Sequence, residues 1–341
     1  MLNKTLHIST SPHIVKGIGT DAIMRNVVYA LLPVAAFAVY SFGLSALWVL
    51  LSTTAAAVLT EHFLCKWSGK DSTISDWSAA ITGLLLGLTL PPSFPIWMAF
   101  AGGVIAIALG KFIFGGLGYN VFNPALVGRA FLQAAFPVAI TTWWPAFLPD
   151  RFTTVSAATF TFPFMEPGVD VDVVTGATPL SAFKFDHIAA GAQDLALGLV
   201  TGSTGETCAA LIILGGLYLI ARKMMNWRIP AAILLTVFAL SGGLYLIDPE
   251  LYPSPLFMLF SGGLMLGAVF MATDMVASPI TPLGVWVYGA LIGVLVVVIR
   301  VWGGLPEGVM YAILLANAIS PHIDKLIRPR VYGTAKSPKK S

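Results

Sequence analysis

Ten apolar runs dominate this chain and leave it few ways to fold. They cover residues 26–44, 45–64, 78–90, 95–114 and 119–136 and then, after a long polar interval, 206–222, 229–247, 256–273, 282–302 and 309–327. Most approach the roughly 20 residues that carry a helix across about 30 Å of hydrocarbon, with 78–90 the short exception. Lipid offers no water to bond a bare backbone, so such runs become helices, which satisfy their own N–H and C=O groups. The expected fold class is therefore all-α, a polytopic membrane protein of about ten transmembrane helices. Composition agrees: 57% of the 341 residues are hydrophobic, only 10% are charged, and the mean hydropathy is +0.84, all outside the range of a soluble domain. Three parts follow: a first membrane repeat (1–136), an external loop (137–205), and a second repeat with a tail (206–341).

Several functions are disfavoured at once. Cys65 and Cys208 form no CxxC pair or Cys/His cluster, which argues against a metal or iron–sulfur centre built from this chain. A net charge of +3 without a basic stripe argues against a nucleic-acid partner. The first apolar run has no small-residue cleavage site behind it and so reads as a retained span. With neither a Gly-rich nucleotide loop nor a Ser-His-Asp set, NADH is not expected to bind here, and no catalytic residue is assigned.

Basic residues orient the chain, because short Lys/Arg-rich loops stay in the cytoplasm. With the N-terminus inside, Lys4, Lys16, Arg25, Lys66, Lys70, Lys111, Arg222, Lys223, Arg228 and the tail from Lys325 to Lys340 fall on the cytoplasmic side. Arg129, Arg151, Lys184 and Arg300 are the exceptions. Both termini are then cytoplasmic, and the interval 137–205 faces the opposite compartment.

The two sets of five runs echo each other. Gly83-Leu-Leu-Leu-Gly87 matches Gly263-Leu-Met-Leu-Gly267, and Phe114-Gly-Gly-Leu117 matches Trp302-Gly-Gly-Leu305, each at a corresponding place in its half. Gly/Leu tetrads also recur by composition alone in membrane proteins. If the halves are a duplication, five spans per repeat makes them inverted, with sites expected near their interface. The short third run stops at Pro91-Pro92, and its counterpart runs into Asp274 and Pro279. Prolines there either break helices that line a cavity or merely end ordinary spans.

The interval carries Asp172-Val-Val-Thr175-Gly176-Ala177-Thr178-Pro179-Leu180, which fits D-x-x-[S/T]-G-A-[S/T]. A threonine hydroxyl in a turn can accept a phosphoryl group in line. Gly176 and Ala177 leave room for another protein's active site to close over the segment, and Pro179 holds the chain extended beyond it. Gly, Pro and hydroxyl residues also make plain turns. The motif resembles the flavin-attachment sequence of the NqrB/RnfD family, membrane subunits of Na⁺-translocating NADH:quinone reductase and of the Rnf ferredoxin:NAD⁺ oxidoreductase. The resemblance covers nearly the whole chain, including Ser11-Pro-His13, Gly115-Gly-Leu-Gly-Tyr-Asn120 and Phe122-Asn-Pro-Ala-Leu-Val-Gly-Arg129. The compact length is more similar to the RnfD type than to the NqrB type.

The resemblance implies FMN held on Thr178 through a phosphoester made by a flavin transferase that uses FAD and Mg²⁺, with Asp172, Thr175, Gly176 and Ala177 forming the rest of the flavinylation motif. It also implies a non-covalent riboflavin in the membrane part, association with the A, B, C, E and G components of an Rnf complex, and residence in a bacterial inner membrane with the flavin loop periplasmic. Trp77, Phe112, Tyr119, Asn120 and Asn123 are candidates to pack a ring, although aromatics at such places also serve as interface anchors or core.

The charges inside the apolar runs are the remaining signal. Arg129 sits within the fifth run, where a lone guanidinium costs at least about 2.5–3.5 kcal/mol, and so it needs a partner. A flavin phosphate, a ring carbonyl, a carboxylate of a neighbouring subunit or backbone carbonyls would serve. Glu61, His62 and Asp274 stand near span ends, where charges usually snorkel to water. Asp21 and Arg25, four apart, suit an interfacial helix pair. Ten spans in inverted fives also suits a urea- or ammonium-channel-like transporter, and the Asp172-to-Thr178 motif is what separates the two readings.

Overall fold

The computed structural model describes residues 19–70, 73–165, 177–188, 190–206 and 208–328. Among these it has fourteen α-helices and no strand. Five segments are long and apolar enough to cross a membrane: α1 (Thr20–Phe42), α2 (Leu44–Trp67), α4 (Ile96–Gly110) with the 3₁₀ turn that extends it to Phe114, α10 (Arg228–Ile247) and α13 (Pro282–Trp302). Only a third to a half of each apolar window, 33–50%, is fully buried by the chain itself, which leaves apolar side chains of every span at the surface of the body. The last helix, α14 (Val309–Leu326), is 18 residues long.

The other expected spans are shorter or broken. α3 (Ser78–Leu88) has 11 residues, α5 (Pro124–Ala135) has 12, and α9 (Ala209–Ala221) has 13. At about 1.5 Å per residue, none reaches 30 Å. The run 256–273 is divided into α11 (Pro255–Phe260), α12 (Leu264–Leu266) and a π-helical turn at Gly267–Met271, with Gly262 at φ 64° marking the break. Thus α3 simply stops short of Pro91-Pro92, whereas the counterpart segment is interrupted at Gly262 rather than at its later proline.

A helix that ends inside the body needs partners for its last carbonyls. For α3 they come from the far end of the polar interval. Thr204 N–H donates to Leu90 O (3.1 Å), Gly205 N–H to Leu88 O (2.7 Å), and Thr204 Oγ1 to Gly87 O (2.7 Å). Asn123 performs a double role: its Oδ1 accepts from Ala125 N–H as the cap of α5, and its Nδ2 donates to Met271 O at the end of the π turn (3.1 Å).

Helix pairing repeats between the two sets. α2 packs along α4 as α10 packs along α13, and α4 against α5 as α13 against α14. A Cβ on Gly103 would meet Ala56 and the Thr53 carbonyl, and one on Gly289 would meet Ala232 and the Ile229 carbonyl, so both crossings rest on a glycine. This recurrence supports a duplicated architecture. The interval 137–205, expected as a loop, contains α6 (Pro137–Thr141), α7 (Pro179–Asp186) and α8 (Ala192–Leu197). Its first part clasps the α1–α2 turn. Leu44 N–H donates to Arg151 O, Phe147 N–H to Ser41 O, and Arg151 Nε to Tyr40 O (2.8 Å), with the guanidinium over the rings of Tyr40 and Phe152. Gly43, at φ 73°, sits under this clasp, where a Cβ would overlap the Arg151 carbonyl.

Two expected charge positions are corrected. Glu61 does not snorkel: it is buried against Lys111, whose Nζ donates to Oε1 (2.7 Å), Oε2 (2.8 Å) and Ser78 Oγ, while Thr73 Oγ1 donates to Glu61 Oε1. Lys111 is held because α4 ends in a 3₁₀ turn beside the start of α3. Arg25 Nε reaches the backbone carbonyl of Asp21 (3.3 Å), not its carboxylate, so the two make a main-chain contact in the first turn of α1.

Candidate functional site

Thr178 is the N-cap of α7. Its backbone is extended, Pro179 occupies the first helical position, and Oγ1 accepts from Ser181 N–H (3.2 Å) and lies 2.9 Å from Ser181 Oγ. A threonine in this role satisfies one of the free N–H groups of a first turn. The residue is only 9% exposed, which corrects the expectation of a free hydroxyl in an open loop. It is buried because α7 folds onto the membrane body: Leu180 joins Leu195 and Phe257 in an apolar cluster, and Lys184 Nζ donates to the carbonyls of Arg300, Gly303 and Leu305, closing the end of α13. Burial lowers the pKa of that ammonium. Ala177 precedes Thr178 and is exposed. Asp172, Thr175 and Gly176 lie outside the described residues.

Thr178 lines a cavity of about 450 Å³, within the size range of small-molecule and cofactor sites. Ile140, Trp143, Phe185, Leu195, Phe260 and Met310 give it apolar walls, and Arg129, Glu206 and Glu307 add charge. Arg129 thus meets its partners within this chain. Its NH2 is 3.0 Å from Glu307 Oε2 and its NH1 3.9 Å from Glu206 Oε1. Glu307 Oε1 also accepts the N–H of Gly263. Arg300 completes the group from α13, donating to Met258 O (2.6 Å) and Ser261 O (2.9 Å). Four ionisable groups, two arginines largely buried and two glutamates half-buried, are therefore gathered in the membrane body, where opposite charges offset the cost of burial.

Arg129 was legible from its place in an apolar run, but Glu206, Glu307, Arg300 and Lys184 were not. The available signal was positional, since Glu206 and Glu307 each stand just before an apolar helix, α9 and α14. The other ring-packing candidates divide. Trp77 and Tyr119 are exposed, whereas Asn120 and Asn123 are buried beside a second cavity of about 110 Å³, with Lys111 and Asp274 in its wall. Asp274 accepts from Asn120 Nδ2 (3.0 Å).

A helical body with several apolar spans, broken helices and buried compensated charges defines a multi-pass integral membrane protein. The family model described as NQR2, RnfD, RnfE matches residues 7–333, and the chain belongs to that family. Its relatives include D subunits of ion-translocating complexes. That of the proton-translocating ferredoxin:NAD(+) oxidoreductase complex of Clostridium ljungdahlii is 42% identical over 337 residues, covering 96% of each chain. That of the Na(+)-translocating ferredoxin:NAD(+) oxidoreductase complex of Acetobacterium woodii is 40% identical over 342 residues, covering 98% of each. That of the ion-translocating oxidoreductase complex of Stutzerimonas stutzeri is 43% identical over 331 residues, covering 92% of each.

Proposed function

We propose that this chain is the RnfD-type membrane component of an ion-translocating ferredoxin:NAD⁺ oxidoreductase and that it carries FMN esterified to Thr178. The first part is supported by relatives that share its full length and bear that role in their names. The observation that carries the flavin reading is that the motif threonine caps a helix on the wall of a 450 Å³ cavity that also contains a guanidinium. A phosphoester on Oγ1 would lie at the N-terminus of α7, where unpaired N–H groups and the helix dipole favour negative charge. Arg129, whose Nε has no hydrogen-bond partner among the described residues, offers a donor on the same cavity, and Trp143, Phe185 and Tyr311 offer ring surface. When bound, a flavin supplies one- and two-electron transfer; the protein's part is to hold it, exclude water and set its electrostatics.

The remaining parts of the assignment follow from the same reading. The protein resides in a bacterial inner membrane, with both termini cytoplasmic and α7 on the periplasmic side, assembles with the A, B, C, E and G components, and is loaded by a flavin transferase. A second, non-covalent riboflavin in the membrane part belongs to the same proposal. The transported ion is not set by resemblance, since relatives at 42% and 40% identity are named for protons and for Na⁺.

The test is fluorescence of the denatured chain on a gel after co-expression with the transferase. Wild type should fluoresce under ultraviolet light and Thr178→Val should not. A dark wild-type band would reject covalent attachment.

A further inference from the structure

In the charge cluster beneath the Thr178 cavity two carboxyl groups converge. A methyl group on Gly263 would lie 2.7 Å from Glu307 Oε1 and 3.1 Å from Glu206 Oε1, so both oxygens converge on one backbone position. Two carboxyl groups brought onto one such position repel each other as carboxylates, whereas a proton on one of them lets it donate to the other.

The surroundings say which one. Glu307 accepts from Arg129 NH2 at 3.0 Å and from Gly263 N–H, so its charge is well served. Glu206 is 3.9 Å from Arg129 NH1, its side chain is only 7% exposed, and its Oε2 has a long contact to Ser203 N–H (3.5 Å). Its Oε1 is buried and accepts no hydrogen bond from the described residues. A proton on Glu206 turns an orphaned acceptor into a donor toward Glu307. Other charged or titratable groups from the packed elements do not replace it: Arg129 comes from α5, Arg300 from α13 with its NH groups on backbone carbonyls, Lys184 from α7 with its ammonium on the end of α13, and Tyr311 from α14.

We infer that Glu206 and Glu307 form a proton-binding carboxyl pair, holding one proton at neutral pH, beneath the cavity that Thr178 lines. With that proton the two arginines and two glutamates carry one net positive charge. The cavity floor is then matched to an anionic group such as a phosphoester, and loss of the proton would leave the floor neutral. The charge matching rests on the flavin reading above; the proton site does not.

Infrared difference spectroscopy of the full-length protein in membranes, in H₂O and D₂O, tests it. Wild type should show the C=O stretch of a buried protonated carboxyl that shifts in D₂O. Thr178→Val, which lacks the phosphoester oxygen, should keep that band, whereas Glu206→Gln should lose it. A wild-type spectrum at neutral pH with no such band would overturn the inference without depending on any variant's folding. An undiminished band in a folded Glu206→Gln protein would overturn it as well. Retention of the band in a wild-type protein found to carry no flavin would leave the proton site standing while rejecting the flavin reading.

Discussion

Two buried charge clusters flank α3, one at each end, and they are built to different specifications. At the N-terminal end, Lys111 spends its ammonium on both oxygens of Glu61 and on Ser78 Oγ, and Thr73 adds a further donor, so donor and acceptor capacity are consumed inside the chain. At the other end, next to the residues that cap the helix, Arg129, Glu206, Glu307 and Arg300 gather without satisfying one another's hydrogen bonds. Arg129 Nε, Arg300 Nε, Glu206 Oε1 and Ser203 Oγ lack partners among the described residues, and a cavity opens beside them. A saturated pair ties helices together. An unsaturated cluster on a cavity is arranged for something that completes it.

Single and paired substitutions can break this contrast. The largest effect is expected for Lys111→Met, which strands Glu61 in the interior and should destabilise the protein by about 3–5 kcal/mol. Adding Glu61→Leu should recover most of that stability in thermal unfolding in detergent, because replacing a whole buried pair by apolar residues is often neutral. Failure of the double variant to recover would show that the N-terminal cluster is more than a structural tie. At the other cluster, Arg129→Met with Glu307→Gln should likewise restore much of the folding lost by Arg129→Met, yet leave covalent flavin content low, since the cavity's donor is gone. Normal flavin loading in that double variant would erase the distinction between the clusters.

A smaller effect is expected at Thr178. Its cap hydrogen bond makes Thr178→Val costly by about 1 kcal/mol, a small fall in melting temperature, while Thr178→Ser should keep both the cap and the flavin. Equal stability of the Val and Ser variants would show that the cap contributes nothing. Lys184→Met should cost least, about 0.3–1 kcal/mol, through the lost cation at the end of α13. Its mark should be faster proteolysis near α7 without disruption of the spans, and unchanged cleavage would mean that α7 is held by its apolar contacts alone.

The helical, membrane-embedded character was legible because apolar runs and lipid together permit little else. Which runs span was less so. Hydropathy treats 206–222 or 256–273 as continuous, but Glu206 precedes the helix and Gly262 interrupts the other segment, and neither event alters mean hydropathy much. Thr178 was found from its motif, and its burial was not, because capping and the packing of Leu180 depend on what α7 folds against. Arg129 announced itself by position. Its partners Glu206 and Glu307 are remote in sequence, and only the third dimension brings them together.

The most direct test of the account is to measure bound flavin, membrane level and electron-transfer-driven ion movement together in inverted vesicles carrying wild type, Thr178→Ser or Thr178→Val in the assembled complex. The expected result is flavin and ion movement in the first two, and near-normal protein level with neither flavin nor ion movement in Thr178→Val. Full ion movement from the Thr178→Val complex without bound flavin would contradict a redox station on this threonine.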